Sequence, residues 1–141
     1  MDIHAFLAGY RRAWETADEQ LLVSLFAPDG VYHNTPFDEQ RGHEAMKRYW
    51  ERTKLQRDIR VLTEVLEAHA GGGIARWRTT YQVASEEMFK MWAASTGTNL
   101  LQRKPGDPLP RLRLDGIAVV ELGPDGLCRH LRLWWHSRVD G

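Results

Sequence analysis

The sequence predicts an α+β fold in which helices from the first third of the chain cover one face of a β-sheet formed by the rest. Two observations support this class. Apolar residues recur every three to four positions up to about residue 54, whereas β-branched and aromatic residues between turn sequences dominate from residue 59 onward. With 141 residues the chain can bury one core without disulfides or metals, so we expect a single domain over residues 1–141.

The first predicted helix begins after Asp2, whose carboxylate can accept hydrogen bonds from the free N–H groups of a first helical turn. Apolar residues then recur at helical spacing and form one stripe. The stripe consists of Ile3, Phe6, Leu7, Tyr10, Trp14 and Ala17. Tyr10 and Trp14 are therefore expected to face the interior.

Two further helices and one extended segment follow. Asp18 is the expected N-cap of a short helix over residues 19–27, which Pro28-Asp29-Gly30 ends with a turn. Residues 31–37 are expected to be extended. A third helix is predicted over about residues 43–54. Its apolar side consists of Met46, Tyr49, Trp50 and Thr53.

Two hairpins are predicted after the helices. Gly71-Gly72-Gly73 separates strands at residues 59–62 and 74–83, and a second hairpin pairs residues 114–122 with 127–137 around an Asp-Gly turn. The last strand alternates, with Leu131, Leu133 and Trp135 on one face and His130, Arg132, Trp134 and His136 on the other.

The composition excludes several kinds of partner. Lys+Arg and Asp+Glu both number 19, and neither sign is collected into an arm, so we expect no nucleic-acid partner. No apolar run approaches the roughly 18 residues of a membrane span. We therefore expect a cytoplasmic protein without a membrane partner. Cys128 is the single cysteine and is expected to be a small buried thiol, not a nucleophile.

The histidines do not predict a metal site. His130 and His136 lie six residues apart along one predicted strand, which separates them by about 20 Å at roughly 3.3 Å per residue. No spacing of Cys and His resembles a zinc site. We expect neither a metal nor a cofactor.

Three segments of the chain resemble the SnoaL-like, or nuclear transport factor 2-like, superfamily. They are Leu25-Phe26-Ala27-Pro28-Asp29-Gly30-Val31-Tyr32, Arg41-Gly42-His43-Glu44-Ala45-Met46 and Leu114-Asp115-Gly116-Ile117-Ala118-Val119-Val120. The resemblance implies a cone-shaped curved sheet, antiparallel or mixed, that wraps around three N-terminal helices, encloses an apolar pocket and often dimerises through its outer face. The superfamily includes isomerases, cyclases, hydrolases, dehydratases and non-catalytic binding domains, so the fold does not decide the activity.

The resemblance does not extend to residues 84–113, which we expect to form an insertion with a helix at 86–92 and a strand at 98–103. Its apolar side chains would be costly in solvent and are expected to cover the pocket mouth or a dimer partner. These side chains are Met88, Phe89, Met91 and Trp92.

A comparison with ketosteroid isomerases argues against that activity. The resemblance would place Tyr10 at the oxyanion-donating phenol, Asn34 at the carboxylate base and Ala118 at the second acid. An amide cannot accept and return a proton near neutral pH, so the base is missing.

The limonene epoxide hydrolases offer a closer local match, because Tyr32-His33-Asn34-Thr35-Pro36 reproduces their Tyr-x-Asn-x-Pro segment. In that family the Tyr and Asn help to hold the attacking water. The family's arginine matches Arg78, but its two carboxylates align with Thr80 and Leu133. Epoxide hydrolysis would therefore need a base from elsewhere. The remaining candidates are Asp115, His136 and the insertion.

Arg76 and Arg78 share one face of the strand at 74–83, opposite Trp77 and Tyr81. If the arginines face inward, Arg78 needs an acidic partner or an anionic ligand, because an unpaired buried guanidinium is costly. If they face outward, Trp77 and Tyr81 build the core. The resemblance favours the inward position for Arg78.

The sequence leaves three functions open. The first is binding of a small, largely apolar, oxygen-bearing molecule; the second is an isomerase, lyase or epoxide hydrolase that uses Tyr32 and Asn34, with Arg78 as a further candidate; the third is an assembly module with a filled pocket. A carboxylate or histidine with a shifted pKa in the pocket would favour catalysis. Tyr10, Tyr32 and Asn34 have purely structural interpretations as well. The expected pocket lining is Tyr10, Trp14, Tyr32, Asn34, Trp50, Arg78, Leu133 and Trp135.

The outer face of the sheet is expected to form a homodimer. Trp134 would lie exposed beside Ile117 and Val119, and a symmetric partner would cover this apolar patch. The alternative is a single tolerated surface tryptophan.

Overall fold

The computed structural model describes residues 1–96, 104 and 106–140, and the fold is α+β, as predicted. The helices are α1 (Ile3–Glu15), α2 (Glu19–Ser24), α3 (His43–Trp50), which continues into a 3₁₀ turn (Glu51–Leu55), and α4 (Glu86–Thr96). The strands are β1 (Phe26–Thr35), β2 (Asp38–Arg41), β3 (Gln56–His69), β4 (Gly72–Val83), β5 (Arg111–Leu122) and β6 (Cys128–Val139). Within these ranges no helix has the length and apolarity needed to cross a membrane.

The six strands form one mixed sheet in the order β2-β1-β6-β5-β4-β3. Strands β3 with β4 and β5 with β6 are the two predicted hairpins, each longer than the sequence indicated. Strand β1 pairs in parallel with β6, and the other neighbours pair antiparallel. Helix α1 packs against β3, while α2 and α3 contact β1, so the helices and the inner sheet face share one core.

Helix α1 forms where its cap and stripe predicted, but it ends before Ala17. The Asp2 carboxylate accepts a hydrogen bond from the Ala5 N–H at 2.9 Å. At the other end the Ala17 N–H donates to the Trp14 carbonyl and the Asp18 N–H to the Ala13 carbonyl. These two bonds form a Schellman motif with Ala17 in the left-handed conformation, at a φ of 51°. The expectation that Ala17 extends the stripe is therefore wrong.

The second helix is shorter than predicted, because sheet pairing begins at Phe26. The Leu25 carbonyl accepts a hydrogen bond from the Cys128 N–H at 2.9 Å, and Phe26 is in register with Cys128. The Pro28-Asp29-Gly30 turn thus lies inside β1 as an irregularity between Phe26 and Val31. Tertiary pairing here overrides a local helical pattern, as it often does for weak propensities.

Helix α4 lies in the predicted insertion and is longer than the expected 86–92. Met88, Phe89 and Trp92 are buried, whereas Met91 remains 59% exposed. The strand expected at 98–103 lies outside the described residues. The polar edge strand β2 was not predicted, because its sequence contains no apolar residue to produce an alternating pattern.

The inward position expected for Arg78 is wrong. Trp77 and Tyr81 are buried on the inner face of β4, so Arg78 points to the outer face and is exposed. Its neighbour Arg76 also points outward, where its Nη2 lies 2.7 Å from the Asp115 carboxylate. Transfer out of water costs a guanidinium much more free energy than it costs an aromatic ring. The aromatic face of β4 is therefore the buried one.

We expect replacement of Ala17 by glycine to raise the free energy of unfolding by about 1 kcal/mol, because glycine adopts the left-handed conformation without the steric cost of a Cβ. Urea denaturation should show a higher midpoint and an unchanged slope. Ala8→Gly, at an exposed position inside α1, is the matched control and should lower the free energy by about 1 kcal/mol. Equal losses in both variants would contradict the expectation.

Candidate functional site

A cavity of about 270 Å³ lies between the inner face of the sheet and the helices. Every tryptophan except Trp134 contributes to its wall. The lining consists of Trp14, Tyr32, Asn34, Tyr49, Trp50, Arg52, Thr53, Leu55, Gln56, Trp77, Tyr81, Met88, Met91, Trp92, Ser95, Leu114, Leu133 and Trp135. Its predominantly aromatic character is typical of a site for a small organic molecule.

Three tryptophans fix the relative positions of α1, α3 and β4 at the cavity. The Trp14 ring centroid lies 6.0 Å from that of Trp50 and 5.7 Å from that of Trp77. The Trp14 indole N–H donates to the Gln56 side-chain oxygen at 2.7 Å. The indole nitrogens of Trp50 and Trp77 are buried without a hydrogen-bond partner among the described residues. Apart from these nitrogens, contact between the three rings is apolar.

Tyr10 and Tyr32 form a buried phenol pair with their hydroxyl oxygens 2.5 Å apart. Only Tyr32 belongs to the cavity wall, so Tyr10, which was expected to line the pocket, instead lies behind it. Burial raises the pKa of both phenols well above the usual value for tyrosine. Both are therefore neutral near pH 7 and can donate hydrogen bonds but cannot act as bases.

Asn34 combines the two roles that the sequence left open. Its side-chain oxygen accepts a hydrogen bond from the Gln40 amide at 3.2 Å, which ties β1 to β2. Its backbone carbonyl accepts one from the Trp135 indole at 2.6 Å, which orients that ring in the wall. Asn34 itself lies in the wall and is 8% exposed. The residue thus shapes the cavity and also presents a polar group there.

A cation lies at the cavity wall beside two further phenols. The Arg52 guanidinium carbon is 3.8 Å from the centroid of the Tyr49 ring, and the Arg52 Nε donates to the Tyr49 carbonyl at 3.0 Å. Burial raises the pKa of Tyr49, and raises that of Tyr81 to about 12, while the charge of Arg52 opposes both increases. Arg52 was not among the predicted site residues, although it follows Tyr49 by one helical turn.

No aspartate, glutamate or histidine among the described residues lines the cavity. Asp115 pairs with Arg76 on the outer face, and His136 is exposed there, so neither of these candidates reaches the cavity. Cys128 is buried as predicted, and burial raises the pKa of its thiol to about 12. No cluster of three potential metal ligands occurs in the described ranges.

The structure brings most of the predicted lining together. Six predicted residues lie in the wall, namely Trp14, Tyr32, Asn34, Trp50, Leu133 and Trp135. Arg78 and Tyr10 do not. The main omissions are Trp77 and Tyr81, which the alternation of β4 placed on a common face without deciding its direction, and the side chains of α4. Met88, Met91 and Trp92 of α4 cover the cavity, one of the two roles considered for the insertion.

The model of the SnoaL-like domain family matches residues 7–131. No sequence of a curated protein matches at a significant level.

Solved structures share the fold at low sequence identity. SalBIII, an epoxide hydrolase/cyclase-like enzyme with a role in pyran ring formation in the polyether salinomycin, is 18% identical, with a TM-score of 0.66 over 97% of this chain and 95% of that chain. A computationally designed 17-OHP binder is 12% identical, with a TM-score of 0.71 and 99% and 97% coverage. TsrD from Streptomyces laurentii is 17% identical, with a TM-score of 0.63 and 96% and 87% coverage. At these identities the likeness concerns the fold alone.

We expect the four tyrosines to resist ionisation in the folded protein, because burial raises the pKa of each. Unfolded phenols lose their protons at about pH 10. The resulting stabilisation is complete below that pH and is lost as the pH rises above it, because only the unfolded state then releases protons. The near-ultraviolet absorbance of phenolate should therefore appear in one step, together with alkaline unfolding.

Urea-unfolded protein serves as the control and should titrate gradually at about pH 10. Gradual phenolate absorbance at that pH with an unchanged circular dichroism spectrum would show that the phenols are accessible in the folded state and would contradict the expectation.

Proposed function

We propose that this chain, which belongs to the SnoaL-like domain family, binds a small, largely apolar, oxygen-bearing molecule in the central cavity. The observation that carries the proposal is the composition of the wall. Aromatic rings dominate it, the described residues contribute no carboxylate or imidazole to it, and Tyr32 and Asn34 supply polar groups. Apolar walls with a few fixed polar groups are the usual means of binding such molecules.

The protonation state of the wall supports binding over acid–base catalysis. A general base needs a pKa near the working pH so that it can take up and return a proton. The phenol pKa of Tyr32 is raised by burial, and Asn34 does not titrate in this range. These groups can orient a ligand oxygen, but an isomerase, lyase or epoxide hydrolase would lack its base among the described residues of the wall.

The size of the cavity supports a ligand and limits it. Sites for drug-sized molecules usually measure about 300 to 1,000 Å³, so a cavity of about 270 Å³ suits a molecule of two or three rings. An assembly module with a filled pocket would not retain this volume. The designed 17-OHP binder shares the fold and, by its description, binds a small molecule. That likeness supports the capacity of the fold to hold a small molecule, and it does not specify the ligand of this chain.

We expect methyl 2-naphthylacetate, a neutral two-ring ester, to bind saturably in isothermal titration calorimetry. Leu133→Trp should fill part of the cavity and weaken binding by about tenfold or more, at a cost in stability of about 1–3 kcal/mol. Leu62→Trp introduces the same side chain at an exposed position and should leave the affinity unchanged.

Far-ultraviolet circular dichroism will establish that both tryptophan variants are folded. Absence of saturable binding to the unmodified protein up to the solubility limit of the ester, or equal affinities in the two variants, would contradict the cavity as the binding site.

We further propose that the protein is a cytoplasmic homodimer that pairs through the outer face of the sheet. Trp134 is 44% exposed there and is in register with the partly exposed Ile117 on β5. Both side chains border a shallow groove that also includes Pro36. Val119 extends the apolar area along β5, and a symmetric copy of the face would remove this area from water.

Sedimentation velocity is expected to show a dimer that Trp134→Glu converts to a monomer. The substitution would bury a carboxylate from each protomer in the same symmetric apolar interface, where the two charges would repel each other. Leu66→Glu, at an exposed apolar position on the edge strand β3, is the control and should remain dimeric. A strictly monomeric unmodified protein would exclude this interface.

A further inference from the structure

We propose that the oxygen function of the ligand is a carboxylate and that Arg52 binds it at the cavity wall. The inference rests on the proposed binding function and makes it specific, because it names the chemical class of the ligand. The expected molecule is an apolar organic acid whose rings occupy the aromatic cavity while its carboxylate meets the guanidinium.

The position of Arg52 is fixed by its contacts with Tyr49. The guanidinium carbon lies 3.8 Å from the centroid of the Tyr49 ring, and the Nε donates to the Tyr49 carbonyl. The Arg52 side chain also interacts with the Tyr49 phenol, whose pKa burial raises and Arg52 lowers, and no described residue other than Tyr49 forms a hydrogen bond with the guanidinium. A planar guanidinium held in this way can offer two parallel N–H donors to a carboxylate.

Arg52 also has no acidic partner among the described residues. Arg76, Arg111 and Arg132 all form ion pairs with carboxylates, whereas the described residues provide none for Arg52. An unpaired arginine is common on a surface, but Arg52 is the one cation in the described cavity wall. Arg52 is thus an exposed cation at the wall that no carboxylate of the described part of the chain neutralises.

The phenols near Arg52 favour the same ligand. Tyr32, Tyr49 and Tyr81 all line the cavity, and the charge of Arg52 acts on each of them. They remain neutral at physiological pH, so they add no negative charge that would compete for the guanidinium. A neutral phenol can donate a hydrogen bond to an anionic oxygen, so a ligand carboxylate gains both charge and hydrogen-bond complementarity.

The test compares two probes that differ in charge. Calorimetric dissociation constants are measured for 2-naphthylacetate and for its neutral methyl ester, in low and in high salt. The acid is expected to bind at least about tenfold more tightly than the ester at low salt, and this preference should shrink in high salt because Arg52 is exposed to solvent.

Three variants assign the preference to Arg52. Arg52→Met should remove the preference for the acid and leave the affinity for the ester within about twofold, because methionine keeps an apolar stem in the wall. Arg52→Lys should retain part of the preference, since it keeps the charge but loses the planar fork. Arg48→Met, at an exposed position of α3 outside the cavity wall, is the matched control and should bind both probes as the unmodified protein does.

The outcomes separate this inference from the function on which it rests. Equal affinities for acid and ester in the unmodified protein, or a preference that survives Arg52→Met, would overturn the inference while the cavity remains a binding site. Absence of binding by either probe would overturn both. A preference for the acid that is lost in Arg52→Met and kept in Arg48→Met would support the assignment.

Discussion

The packing of Trp14 against Trp50 and Trp77 is the contact on which the rest of the site depends. These rings come from α1, α3 and β4, and their centroids lie 5.7 to 6.0 Å apart. Rigid bicyclic side chains cannot adjust their shape to fill an irregular gap as methionine can. The helices therefore meet the sheet at a spacing set by the rings, and an unfilled volume remains beside them.

The alternation of β4 keeps the two arginines of that strand out of the cavity. Trp77 and Tyr81 face inward, which sends Arg76 and Arg78 outward and draws Asp115 to the same outer face. The wall holds neutral phenols, which burial keeps protonated, beside the guanidinium of Arg52. The same distribution that permits an apolar core thus also keeps the carboxylates of the described strands out of the wall.

Local signals predicted the elements that depend on neighbouring residues, such as the capped stripe of α1 and the two hairpins with their turns. The start of β1 could not be predicted, because Phe26 pairs with Cys128 about a hundred residues later in the chain. The alternation of residues identified the two faces of β4 but not which face was buried. The resemblance to epoxide hydrolases predicted an inward position for Arg78, which is exposed on the outer face. Only the assembled core, in which Trp77 contacts Trp14, decides the direction.

A cavity of this size carries a cost in packing. At roughly 24 cal/mol per Å³, a volume of about 270 Å³ corresponds to an upper limit of about 6.5 kcal/mol of lost packing. Typical domains are stable by only about 5–15 kcal/mol, so this is a large fraction of the total. A bulkier side chain that fits at Leu114 would recover part of it. A ligand that binds only the folded state would also offset this cost, which is how the proposed binding function and the stability of the fold are linked.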